Sequence, residues 1–396
     1  MPAVPVRSAP VTRRTRFRVF AVDEGSVQLA WASLGAGRHS VSVGPVEGEV
    51  DGGAGTWTAG GLAPATTYEV RVDRRPAGSA TTLEALPGPE RCRVATVSDC
   101  HVGEQGFGFF FEMKEPPGVE PFAVRCLRAA TSAAVAWGAE LLVVKGDLTQ
   151  RAQVAELDAA LELLTGLGIP VVVAPGNHEV KRRATDWAAA VRAAGLMAVD
   201  PVEPHVVDLA GLRVVVGDTT IRHRHNGTLA NGRADALIEA ASGEKPALVC
   251  LHHQLEPHRY HNVWPPGIAG AEAVPFLDRL AEAQPRSWVT TGHTHRNRRR
   301  SHGPVTVTEV GAPKDFPGTW AGYVAHDAGL RQTSFHVTGD GTDAWLDRTR
   351  RAAARAWGAW SPGRLDDRCR TMTWSPDLSG EGVRQATPAP DRTGER

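Results

Sequence analysis

The 396-residue sequence lacks a net charge: 44 Lys and Arg residues are matched by 44 Asp and Glu, and the pI is about 7.3. Such balance leaves no electrostatic footprint for nucleic acid or an anionic membrane surface. No run approaches the ~18–20 apolar residues of a membrane span. Met1–Phe17 carries Pro and Arg but no apolar stretch, so no secretory leader is expected there. Cysteine is scarce. Cys92, Cys100, Cys126, Cys250 and Cys369 are odd in number and widely spaced, which argues against a disulfide scaffold and for reduced thiols in a cytoplasm. There is no internal repeat, and the 42 Gly and 28 Pro follow no collagen-like period. What is present, 42% hydrophobic and 22% charged residues, suits a globular chain long enough for two or three domains.

Behind a flexible tail at residues 1–15, short β-runs alternate with Gly, Pro and Asp: Phe17–Ala21, Ser26–Trp31, His39–Val43, Thr56–Ala59, Thr67–Val72 and Ala80–Leu83. Val27, Leu29 and Trp31 alternate with Gln28 and Ala30, the period of a strand with one buried face. An all-β sandwich is expected over 16–86. Its stretch Leu62-Ala63-Pro64-Ala65-Thr66-Thr67-Tyr68-Glu69-Val70 resembles fibronectin type III domains. The likeness implies that the Tyr68 ring packs on the core with its hydroxyl bonded back to the chain, and that Trp31 is a core residue. A protein partner is the matching expectation for this module.

After the stiff linker Pro87-Gly88-Pro89 the texture changes. Val-rich runs at Arg93–Val97, Leu141–Lys145, Val171–Ala174, Arg213–Val216, Ala247–Leu251 and Ser287–Thr291 alternate with helical patterns at Ala123–Trp137, Ala152–Leu167, Trp187–Ala194, Ala234–Ala241 and Ala271–Ala283. That alternation predicts an α/β fold with a largely parallel sheet and helices on both faces. A β-rich end follows at Val305–Val310, Ala321–Ala325 and Gln332–Val337. The α/β domain is expected over 91–340, one helix over 341–361, and a poorly ordered polar tail over 362–396.

Polar residues cluster where these strands end. Ser98-Asp99-Cys100-His101, Gly146-Asp147, Gly176-Asn177-His178-Glu179, His252-His253 and Gly292-His293-Thr294-His295 each follow an apolar run. Open α/β sheets bind ligands beyond the carboxyl ends of their strands. Asp, His and Asn form an N/O donor set suited to Zn, Mn or Fe. Side-chain alternation in an extended segment would put both members of Asp-x-His and His-x-His on one side. Buried without a partner, such groups would cost several kcal/mol each.

In this order, Asp-x-His, Gly-Asp, Gly-Asn-His-Glu, a lone strand-end His and Gly-His-x-His resemble the calcineurin-like metallophosphoesterase family, including its cyclic-nucleotide phosphodiesterase branch. The resemblance implies a two-sheet α/β sandwich carrying a dinuclear centre of divalent ions. Asp99, His101 and His295 would hold one ion, and Asn177, His252 and His293 the other, with Asp147 bridging. His178 would bind no metal and would face the phosphate and the leaving group. Two ions would clamp the attacking and leaving oxygens of an in-line displacement, and their shared hydroxide would be the nucleophile. The expected activity is hydrolysis of a small-molecule phosphoester. Glu179 is expected to orient His178 or a ligand histidine. Arg151 stands where the Ser/Thr phosphatase branch has a phosphate-binding Arg, although Ala152 replaces the Gly that follows it there. Purple acid phosphatases also carry a fibronectin-like module, but Gln150 stands where they have a Tyr ligand.

Two loops are expected to shape the mouth. Gly103 to Pro121 holds Phe107, Phe109, Phe110 and Phe111, and His258 to Gly267 holds Tyr260 and Trp264. Phe109, Phe110 and Trp264 are the expected substrate-facing aromatics. Arg296, Arg298, Arg299 and Arg300 read as a solvated face. With little protein cation to meet a monoester dianion, a phosphodiester is the expected substrate. A phosphomonoesterase, or a binding protein with a vestigial metal site, is the alternative.

Overall fold

A run such as Leu141-Leu142-Val143-Val144 has no polar face, so as a strand it needs cover on both sides. The computed structural model describes residues 17–108, 113–181, 186–257, 264–339, 341–374 and 385–386. The chain divides into two units, one ending at Glu84 and the other beginning at Ala85.

The first unit is all β: β1 (Phe17–Val22), β2 (Val27–Val43), β3 (Val46–Ala59), β4 (Thr67–Val72) and β5 (Arg75–Thr81). All five strands share one hydrogen-bonded sheet, because β2 runs long and pairs with β1, β3 and β4. Register shifts between Trp31 and Leu34 and between Leu34 and Arg38 mark where β2 departs from regular pairing with β3. Trp31 is buried and stacks on Phe17 at 5.8 Å. The Ala63 N–H donates to the Tyr68 hydroxyl at 2.8 Å, the bond back to the chain that the Tyr68 motif implies.

The second unit contains two sheets. One has the order β19-β18-β17-β16-β6-β7-β8-β9, built from β6 (Glu90–Val97), β7 (Leu141–Lys145), β8 (Val171–Ala174), β9 (Met197–Ala198), β16 (Thr319–His326), β17 (Gly329–His336), β18 (Cys369–Thr373) and β19 (Gln385–Ala386). The other has the order β10-β11-β12-β13-β15-β14, built from β10 (His205–Leu209), β11 (Leu212–Val216), β12 (Ala247–Cys250), β13 (Ser287–Thr291), β14 (Arg298–His302) and β15 (Val305–Glu309). β6 to β9 pair in parallel, as do β11, β12, β13 and β15. Val94, Leu141, Val143 and Val172 of one sheet pack with Val214, Leu248 and Trp288 of the other. The outer faces are covered by α1 (Phe122–Ala136) and α2 (Val154–Thr165) on the first sheet, and by α5 (Arg233–Ala241) and α6 (Gly270–Ala283) on the second. The short α3 (Asn177–Val180) and α4 (Trp187–Ala193) follow β8. The fold is the expected two-sheet α/β sandwich.

Three expectations are corrected. The single helix over 341–361 is instead α7 (Thr342–Thr349), a turn, and α8 (Ala356–Trp360); Ala353, Ala354 and Arg355 between them have φ of 49°, 54° and 76°. The polar tail after Pro362 is ordered to Trp374. It forms α9 (Leu365–Arg368) and then β18, whose Met372 packs into the inter-sheet core, with Trp374 buried beyond it. Residues 375–384 and 387–396 lie outside the described residues. The arginine run is not a solvated face. Arg298–His302 is a strand whose neighbours include the buried Glu309, bonded by Arg296 Nε at 2.8 Å, while Arg299 pairs with Asp366 at 3.2 Å.

Candidate metal centre

The carboxyl ends of β6, β7, β8, β12 and β13 bring Asp99, His101, Asp147, Asn177, His252, His293 and His295 together. Ligand atoms of Asp99, His101 and His295 lie within 4.8 Å of one another, and so do those of Asp99, Asp147 and His252. Asp147 sits between the halves. Its Oδ2 is 3.7 Å from His101 Nε2 and 3.4 Å from His252 Nε2, while its Oδ1 accepts the His178 N–H at 2.8 Å. His252 Nε2 is also 3.3 Å from Asn177 Oδ1 and 3.2 Å from His293 Nδ1. His252, not its neighbour His253, has these contacts. His253 Nδ1 is instead 2.8 Å from Thr219 Oγ1.

Hydrogen bonds at the far ring nitrogens settle which atom of each imidazole faces inward. His101 Nδ1–H donates to Gln150 Oε1 at 2.8 Å, His252 Nδ1–H to the Lys145 carbonyl at 2.9 Å, His293 Nε2–H to the Pro266 carbonyl at 3.2 Å, and His295 Nδ1–H to Asp315 Oδ2 at 2.7 Å. The inward nitrogens of the neutral rings therefore carry lone pairs. His101 Nε2 and His295 Nε2 face each other at 3.3 Å. His252, His293, Asn177 and Asp147 converge as four acceptors, more than one proton can serve. Cations resolve both contacts, so the donor set fits divalent ions.

The ionisation equilibria express the same demand. Burial, together with neighbouring imidazoles, holds His101 and His293 well below 6.5. Burial also opposes charge on His252 and His295, yet Asp147 and Asp99 lift His252 to about 9, and Asp315 and Asp99 raise His295. The carboxylates around this basin favour positive charge within it.

The backbone is strained where the candidate ligands sit. Asp99, His101, Asp147, His293 and His295 have φ between 48° and 68°, the left-handed region, at roughly 1–2 kcal/mol each. Asp-x-His and His-x-His thus converge through left-handed turns, and the pleated alternation expected from their spacing is not the cause. Close approach requires glycine twice. A Cβ on Gly176 would stand 2.2 Å from Asp147 Oδ1, and one on Gly292 would stand 1.8 Å from Ser98 Oγ. Cys100 is buried between two candidate ligands, and burial pushes its thiol far up, so it is inert there.

Glu179 does not orient an imidazole. Its carboxylate accepts from the backbone N–H groups of Asp147, Gly176 and Thr149 and from the Thr149 hydroxyl, at 2.8–2.9 Å. It locks the β7 and β8 loops together. His178 Nδ1–H donates to the Gln150 carbonyl at 2.8 Å, leaving Nε2 4.0 Å from Asp147 Oδ2.

Sequence reasoning missed a chain of charges behind His295. Asp315 is buried against Lys314 Nζ at 3.3 Å, and Lys314 meets Glu104 at 2.6 Å. A carboxylate directly before a buried aromatic, in a loop without periodicity, gives no signal before folding. Gln150 was marked only as the absence of a Tyr, yet its side chain holds His101 and its carbonyl holds His178.

The remaining site residues divide. Arg151 is exposed, and its backbone N–H bonds Glu156. Phe107 is buried, with the Lys314 ammonium 5.0 Å from its ring, so it is core and not an open wall. Phe109, Phe110, Phe111 and Tyr260 lie outside the described residues. Trp264 is 69% exposed, 5.8 Å from the His225 ring.

The model of the calcineurin-like phosphoesterase family matches residues 92–297. A protein of Psychrobacter arcticus named as a probable cyclic nucleotide phosphodiesterase is 28% identical over 172 residues, 42% of this chain and 61% of that relative's length. A Synechococcus protein with the same name is 25% identical over 206 residues, 50% of this chain and 76% of the relative. Among solved structures, the chain is similar to a purple acid phosphatase from yellow lupin (Lupinus luteus) seeds, at 14% identity and TM-score 0.44, covering 82% of this chain and 72% of that one. Among the described residues, no helix is long and apolar enough to cross a membrane.

Proposed function

The chain belongs to the calcineurin-like phosphoesterase family, and from that premise we propose that it is a metal-dependent phosphoric ester hydrolase that cleaves phosphodiesters at a dinuclear site. Asp99, His101 and His295 would hold one ion and Asn177, His252 and His293 the other, with Asp147 shared. The observation that carries this reading is the convergence of imidazole, amide and carboxylate ligand atoms on both sides of Asp147 Oδ2. Divalent ions held there would supply Lewis acidity and acidify water.

The chain's own residues do the rest. Asp147 is held by the His178 N–H and, through its backbone, by Glu179, so its carboxylate is positioned before substrate arrives. His178 is fixed at Nδ1 by a carbonyl, which leaves Nε2 at the mouth to hand a proton to the departing oxygen. The diester preference is supported by the relatives' names and by Arg151 being an exposed residue, the cation that the motif would lend to a monoester dianion.

The test is metal content after loading with Mn²⁺, together with kcat/KM for bis-nitrophenyl phosphate, nitrophenyl phosphate and cyclic AMP. Two equivalents of metal and a diester as the best substrate are expected, and Asp147→Asn should lose metal and turnover together. The dinuclear reading falls if wild type binds one equivalent. The diester reading falls if the monoester is the best of the three.

A further inference from the structure

The floor of the site is closed. The side chains of Asp99, His101, Asp147 and His252 are 0–6% exposed, whereas His178 keeps 21% and His295 17%. A phosphoryl group therefore enters past His178 and His295, whose rings flank His101 at 4.4 and 5.2 Å.

Each of these two edges carries an aromatic group. On the His178 side, His225 lies within electrostatic reach of Lys181 and His178, and its ring lies beside Trp264. On the His295 side, the Trp357 ring meets His295 edge-on at 6.3 Å and packs on Trp360 at 5.3 Å. Trp360 is 41% exposed, one of the few large hydrophobic side chains so placed among the described residues. It is held in place: the Arg296 guanidinium lies 4.6 Å from its ring, and Arg296 is itself anchored on the buried Glu309. The left-handed turn at Ala353–Arg355 leads into α8, which carries both indoles three residues apart. α8 lies beyond residue 297, where the family match ends, so these indoles belong to this chain's own C-terminal part.

We infer that Trp360, backed by Trp357 and clamped by Arg296, is the stacking face for an aromatic substituent, such as a nucleobase, that stays on phosphorus while the other ester group departs. The assignment rests on the diester reading and on His178 serving the leaving group. His178 then marks the departing end of the mouth, and the His295 edge faces the group that remains. An indole face accepts any planar base, so the subsite selects for aromatic character more than for one base.

Two esters with the same leaving group isolate this subsite: the nitrophenyl ester of thymidine 5′-monophosphate and methyl nitrophenyl phosphate. Trp360→Ala should lower the ratio of their kcat/KM values about tenfold, a typical loss for one base–aromatic stack, and Trp360→Phe should restore most of it. An unchanged ratio overturns the inference, as does an equal loss on both esters. Direct titration of the Mn²⁺-loaded protein with thymidine 5′-monophosphate and with inorganic phosphate separates the two readings. If neither diester is cleaved but Trp360→Ala weakens the nucleotide alone by about tenfold, the stacking face stands and the diester reading falls. If both ligands bind the variant as they bind wild type, the stacking face falls.

Discussion

Asp315 illustrates how one buried carboxylate can prepare a candidate metal ligand. It takes the His295 Nδ1–H at 2.7 Å, which fixes the tautomer and leaves Nε2 as the donor. Lys314 keeps it company, so the negative charge is balanced without reaching solvent. Asp315→Asn keeps the shape and removes the charge. Metal affinity should fall ~10–100-fold while the fold survives, as read by calorimetric titration with Mn²⁺ beside a thermal melt. Unchanged affinity would show that Asp315 merely fills space. His178 makes a different prediction, because a general acid matters most where the leaving group is poor. His178→Ala should cost ~10²–10⁴-fold on an alkyl ester and far less on a nitrophenyl ester. Equal losses in parallel rate measurements would assign His178 to phosphate binding instead.

At the scale of elements, β7 joins the two sheets under the site. Lys145, its last residue, is fully buried, donating to Thr290 Oγ1 at 2.9 Å and to the Thr291 carbonyl at 2.8 Å in β13. Burial lowers its pKa to about 8, whereas an unfolded lysine titrates near 10.4. Between those values the unfolded chain binds more protons, so stability rises with pH as the buried ammonium is relieved. Raising the pH from 7.5 to 9.5 should stabilise wild type by about 2 kcal/mol relative to Lys145→Met, measured by urea unfolding of both. A pH-independent difference between the two would refute it. The elements around the site were legible because Val-rich runs end abruptly in Asp, His or Asn, and tertiary structure has no reason to override so strong a pattern. β14 and β18 were not. Arg298–Arg300 and Cys369-Arg370-Thr371 look solvated until Glu309, Asp366 and the neighbouring strands partner them. Ala353, Ala354 and Arg355 have good helix propensity, so nothing in their residue types announces a left-handed turn. The five left-handed ligand positions were invisible for the same reason.

For the α/β unit as a whole, the consequence of β18 is that its larger sheet extends past β17. Pairing runs from Gly329↔Thr373 to Thr333↔Cys369, and Met372 and Trp374 bury themselves beside it. Ending the chain at Pro362 would remove that strand and both side chains. A buried Trp alone is worth ~3–5 kcal/mol, so the truncated protein should melt well below wild type. Equal melting temperatures by calorimetry would return the segment to the status of a tail.

The long separation between Asp99 and His293, whose N–H meets the Asp99 carboxylate at 2.9 Å, also has a meaning in time. A ribosome adds roughly 5–20 residues per second, so Asp99 emerges on the order of ten to forty seconds before its partner. Once Asn177 has emerged, the nascent chain carries Asp99, His101, Asp147 and Asn177 without the two histidines after β13. Any ion captured then is held by an incomplete and exchangeable set. Under the dinuclear reading, the full set of seven candidate ligands exists only once the segment after β13 has emerged.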